Sequence, residues 1–169
     1  PKQRAEGIQT ILKLSEKDRL ITAGIFTNGE KSMALANSKG LRAYHKWTSS
    51  RFSCTVMTPD SSGWAESINE DVSAIEPINV FTLARGKAEQ SAKPKEIAPG
   101  KYTVILEPAA VAEMLVFLFW LSSDAKATDE GRTFMSGKTG KKIVSEQVIL
   151  HSQPGHSQIP GMPFQGDGL

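Results

Sequence analysis

The stretch Pro99-Gly-Lys-Tyr-Thr-Val-Ile-Leu-Glu-Pro-Ala-Ala-Val-Ala-Glu-Met-Leu-Val-Phe-Leu-Phe-Trp-Leu121 constrains this chain more than any other. Pro99-Gly100 is a turn pair, because proline presets φ and glycine tolerates φ > 0. Tyr102 to Leu106 is aromatic and β-branched and too short for a helix, so a strand is expected. Pro108 suits a first helical turn, where its missing N–H is not needed. From Ala109 to Leu121 nearly every side chain is apolar, and Glu113 is the only charge. A helix apolar all round is expected to be buried on most faces. It is too short to cross a bilayer, which takes about 20 apolar residues. The rival role for such a helix is a partner interface.

The 169 residues suffice for one domain or one and a half. With 39% hydrophobic and 22% charged residues, the balance is that of an ordinary soluble protein. A formal net charge of +2 gives no global electrostatic case for nucleic acid, which is not expected as a partner. Cys54 is the only cysteine, so no intrachain disulfide can form, and a reducing compartment fits. No signal-peptide pattern or membrane span is legible, so a cytoplasmic location without membrane contact is expected. Pro1 leads straight into a helical pattern and Phe164 to Leu169 reads as a loop, so the chain is expected to be a piece of a longer protein.

Ala5, Ile8, Ile11 and Leu12 recur at helical spacing, which predicts an amphipathic helix over 3–15. Leu20 to Phe26 reads as a strand, Asn28-Gly29 as a hairpin turn and Lys31 to Ala36 as the returning strand. Asn37 to Gly40 is a second turn. Leu41 to Met57 alternates as a long strand, with Tyr44, Trp47, Phe52, Cys54 and Val56 as expected core residues. Pro59 to Gly63 turns the chain into a strand at Trp64 to Ile68. Residues 69–92 read as helix, with Asn79 a plausible N-cap for its second part. Lys93 to Gly100 is a proline-containing connector. Beyond the apolar helix, Gly131 to Gly140 is glycine-spaced and polar, and Lys142 to His151 alternates as a strand. From Ser152 the Gly, Pro and Gln content predicts an extended loop.

Candidate chemistry is sparse. His151 and His156 flank Ser-Gln-Pro-Gly, where Pro154 and Gly155 exclude the helical spacing that would align a ligand pair. His45 sits in a strand beside Lys46. Gly137-Lys138-Thr139 resembles the tail of a phosphate-binding loop, but Arg132 stands where that pattern needs glycine. Cys54 among strand aromatics reads as a buried, inert thiol rather than a nucleophile. No serine sits in a G-x-S-x-G elbow. Lys138, Lys141 and Lys142 read as a solvated face. No catalytic, cofactor-binding or metal residue is therefore assigned.

Four motifs carry a resemblance. Ala36-Asn37-Ser38-Lys39-Gly40-Leu41 looks like an NS-x-G turn. Pro99 to Leu106 with Pro108 matches PG-x-Y-x-V-[VI]-L-x-P. Gly131-Arg132-Thr133-Phe134 and Gly137 to Ile143 resemble G-x-S-F-x-x-G-K-x-G. Phe164-Gln165-Gly166-Asp167-Gly168 resembles F-D-x-E-G, departing from it at Gln165 and Asp167. In order and spacing these resemble the TldD/PmbA family, also called peptidase U62 or modulators of DNA gyrase.

The resemblance implies a two-chain cytoplasmic metallopeptidase that degrades unfolded peptides and matures antibiotic peptides. In it a TldD-like chain carries zinc on an H-E-x-x-x-H helix after the signature strand. A PmbA-like chain, TldE, lacks those ligands. No histidine occupies the corresponding helix here, Glu113 to Leu121, so the resemblance is to the PmbA/TldE side. Zinc is then expected in a TldD-like partner rather than in this chain. Such a paralogue or self-association, with unfolded peptide as substrate, is the implied partnership. The alternatives are a peptidase active in its own right with its metal site outside this sequence, or a non-proteolytic modulator of DNA gyrase. The expected fold is α+β: an antiparallel meander packed with helices, plus a strand–helix unit with a buried apolar helix. Residues 1–98 are expected to form the family's middle domain, and 99–169 the start of its C-terminal domain.

Overall fold

The computed structural model describes residues 2–122, 124–151, 153–156 and 161–164, with the backbone alone for Gln3 and Leu121. The chain is of the α+β class. In order it forms α1 (Lys2–Lys17), β1 (Ile21–Ala36), β2 (Arg42–Met57), β3 (Ser62–Asn69) and a 3-10 turn (Val72–Ala74). Three helices follow: α2 (Pro77–Gln90), α3 (Pro108–Ser122) and α4 (Ala125–Asp129). Two compact units divide it, Pro1–Ile97 with Gln153–Leu169, and Ala98–Ser152.

In the first unit the three strands form one antiparallel sheet in the order β1-β2-β3. A single 16-residue β1 replaces the two strands expected around Asn28-Gly29. Asn28 and Gly29 lie inside the ladder, opposite Ser50 and Ser49. The hairpin closes instead at Asn37, whose side-chain oxygen accepts from the backbone N–H groups of Lys39 (2.9 Å) and Leu41 (3.1 Å). Gly40 supplies the left-handed residue at φ 90°. One true turn makes the other unnecessary.

Alternation along β2 sends Phe52, Cys54 and Val56 to one face, where all three are fully buried. Phe26, directly across the ladder, packs on Phe52 with ring centroids 5.3 Å apart. Helix α2 covers this face with Val80, Phe81, Ala84 and Ala88, and Ile11 of α1 completes the core. The small residues Gly63 and Ala65 of β3 let the helix approach closely. Among the described residues nothing covers the opposite face, where Ile21, Ile25, Trp64 and Ile68 are exposed.

Tyr44 and Trp47 are not core residues. Tyr44 is 66% exposed, and Trp47 is half-buried. The reason is register: β3 pairs only with Ser50–Met57, so the outer half of the β1–β2 hairpin projects as a two-stranded ribbon. The helix expected over 69–92 is also shorter. Asn69 ends β3, Asp71 caps the 3-10 turn, and α2 starts at Pro77 with Glu76, not Asn79, at its N-cap. Proline at the first helical position fixes that start.

In the second unit, residues 101–107 pair with no strand among the described residues, and the expected Lys142 to His151 strand is replaced by turns. Helix α3 forms where expected, but it is not buried: Ile105 before it is 98% exposed and Trp120 within it 74%. A strand needs a ladder partner and an apolar helix a covering layer, and the described residues supply neither.

Candidate functional site

Among the described residues, the histidines and Cys54 are not gathered with acids into a group of three or more. His45 on β2 stacks its ring on Trp47, with centroids 5.6 Å apart and planes 17° from parallel. A cavity of about 670 Å³ opens beside this pair and is lined in part by Glu70. Cys54 is buried, and burial pushes its thiol above the ordinary range, which disfavours the nucleophilic thiolate. His151 is exposed in an irregular segment. The backbone N–H of His156 donates to the Gln153 carbonyl (3.1 Å) across the Pro154-Gly155 turn. Phe164 is the one residue of the last sequence motif that the structure describes; the departures at Gln165 and Asp167 lie outside the described residues.

Helix α3 follows the Pro99-Gly100 signature and carries Glu113 as its only ligand-type side chain. Among the described residues no three His, Cys, Asp or Glu side chains are grouped to hold a metal ion. Glu113 alone does not make the three-ligand set that a catalytic zinc takes from a helix and its neighbours. Gly137-Lys138-Thr139 does not form a phosphate loop either. The Lys138 N–H donates to the Met135 carbonyl (3.0 Å) and the Lys141 N–H to the Lys138 carbonyl (2.8 Å). These are two consecutive turns, with no strand before them and no helix after them among the described residues.

What the first unit does offer is a sheet edge. Strand β1 pairs with β2 on one side, and among the described residues no strand faces its other side. Its outward N–H and C=O groups can receive an extended chain through main-chain hydrogen bonds, which are tolerant of sequence. The far edge, β3, is partly capped, because the Lys87 ammonium donates to the Trp64 carbonyl (2.9 Å). Beside β1, a cavity of about 480 Å³ is lined by Phe26, Ile75 and Pro77, with the Arg4 guanidinium 5.9 Å above the Phe26 ring. Sequence reasoning misses this long edge by breaking β1 at Asn28-Gly29. The signal that finds it is the stronger turn at Asn37 to Gly40.

The described residues hold no helix long and apolar enough to cross a membrane. No curated protein and no solved structure gives a significant match to the chain. Two family models do match. Residues 4–91 match the PmbA/TldA metallopeptidase central domain, and residues 99–169 match the PmbA/TldA metallopeptidase C-terminal domain. The first match alone covers more than half of the chain, which therefore belongs to the PmbA/TldA metallopeptidase family, the TldD/PmbA group.

Proposed function

We propose that this chain is a PmbA/TldE-like subunit of a peptidase assembly that degrades or matures unfolded peptides in the cytoplasm. It contributes no zinc ligand of its own, and a TldD-like paralogue supplies the metal. Residues 1–98 act as the middle domain and 99–169 begin the C-terminal domain.

The observation that carries this reading is the pairing of both family matches with an α3 that has no histidine. A catalytic zinc needs three protein ligands and an open position for water. A helix of Leu, Val, Phe and Trp can only pack. Apolar residues on the outer sheet face and on α3 are what an assembling subunit would cover. The open edge of β1 is where an extended peptide would be held.

The test is degradation of an unfolded peptide by the full-length protein, alone and mixed with an H-E-x-x-x-H paralogue. Activity in the mixture only is the expected result. Chelator-sensitive activity of the protein alone would overturn the reading, as would one zinc per chain by elemental analysis.

A further inference from the structure

Within the second unit, the two glycine turns shape one wall of a cavity of about 540 Å³. Gly137 and Gly140 adopt φ 67° and 75°, which L side chains rarely hold, so the turns depend on glycine there. They bring Lys138 and Lys141 to the same cavity. The Lys138 ammonium lies 5.7 Å from the centre of the Phe134 ring. Asp129, at the end of α4, also lines the cavity, as do the apolar side chains of Ala125, Met135 and Ile143. The neighbouring charges are matched elsewhere: Lys142 pairs with Glu146 (2.7 Å), and Arg132 with Glu130 (2.5 Å). Lys138, Lys141 and Asp129 form no ion pair, with one another or with any other described residue. One cavity thus presents two cations and one anion, unpaired, around an apolar floor.

We propose that this cavity binds a short zwitterionic peptide. The C-terminal carboxylate takes Lys138 and Lys141, the α-ammonium takes Asp129, and an apolar side chain rests on Ala125, Met135 and Ile143. A single anion would use the lysines and leave Asp129 as a repulsive neighbour. A zwitterion satisfies both signs at once. The volume lies in the range of small-ligand sites, about 300–1,000 Å³. The charges are exposed, so each contact is weak and the affinity is in the millimolar range, about 1 mM. The inference rests on peptide being what the assembly handles, and it assigns this chain a place where short products or substrate ends are held.

The experiment titrates the dipeptide Ala-Leu into the chain, without partner or turnover, and follows backbone amide shifts by NMR. Saturable shifts at Asp129 and at Gly137 to Lys141 are expected. N-acetyl-Ala-Leu and Ala-Leu-amide should each bind roughly fivefold more weakly. In K138Q/K141Q the preference for free acid over amide should vanish while that for free amine remains; D129N should show the reverse. Absence of shifts, equal binding of the blocked dipeptides, or the same shifts from inorganic phosphate alone would overturn the proposal. The blocked peptides make the test independent of whether the variants fold. Failure here leaves the subunit reading standing, and inactivity of the mixed assembly leaves this binding measurable.

Discussion

Gly63 of β3 lies so close under Ala84 of α2 that a Cβ at this position would stand 2.1 Å from the Ala84 carbonyl oxygen. The Ala88 nitrogen would be 2.5 Å away. Both obstacles are backbone, so no side chain can swing aside. The contact sets how near α2 comes to the sheet, and the Ser61 hydroxyl donating to the Ala88 carbonyl (2.6 Å) fixes the same junction. G63A should therefore cost about 3 kcal/mol, the upper range for overpacking. Urea unfolding of the two chains measures it, and a change under about 0.5 kcal/mol would mean the helix slides freely.

Phe52 and Phe81 are the largest fully buried side chains among the described residues, and Phe52 joins the sheet to the helices in one core. Its loss leaves a cavity that Phe26, fixed across the ladder, cannot fill by itself. F52A should destabilise by about 3–5 kcal/mol. Y44A, on the same strand but on the projecting ribbon, should change stability by less than about 0.5 kcal/mol. Equal effects at the two positions would contradict the division of β2 into core and ribbon.

That contrast marks what sequence could tell. The alternation that places Phe52, Cys54 and Val56 in the core applies equally to Tyr44, because periodicity reports a face and not what covers it. Cover depends on where β3 stops, and the stop at Asn69 is set by Asp71 and the 3-10 turn, a local hydrogen-bond choice with no periodic signature. Helix α3 is the same case: its apolar run and Pro108 foretell a helix, whereas its burial depends on a layer that the run does not encode. Asn28-Gly29 has hairpin chemistry but is overruled by the continuous ladder on both sides. At the site, the absence of histidine from α3 was legible directly. The meeting of Lys138, Lys141 and Asp129 was not, because it needs the two turns to be folded.

Asp71 offers a pH probe of the first unit. Its carboxylate accepts from the Ser73 hydroxyl (2.7 Å) and the Ser73 backbone N–H (2.8 Å), which hold its pKa below the usual carboxylate value. A depressed folded pKa contributes stability above the unfolded value, about 3.9, and loses it as pH falls through the folded one. The stability gap between the native chain and D71N should be full at neutral pH and close in acid. S73A removes the larger cause and should raise the Asp71 carboxyl titration followed by carbon NMR. An unchanged titration in S73A would remove the hydroxyl from the account.

Cys54 tests whether the core opens locally. Burial raises its pKa, so the folded state favours the neutral thiol. By linkage this stability is present below the unfolded value, about 8.5, and declines as pH rises through the folded one. At neutral pH an aromatic disulfide reagent should leave the native thiol untouched, and labelling should follow the urea transition. Cys54 lies between Gly24 and Ala65 on paired strands, so only separation of β2 from a neighbour, or of α2 from the sheet, exposes it. Labelling that runs ahead of the loss of helical circular dichroism would show that the sheet opens before the helices melt. G63A should accelerate labelling in proportion to its cost in stability if opening is global, and more steeply if α2 lifts away first.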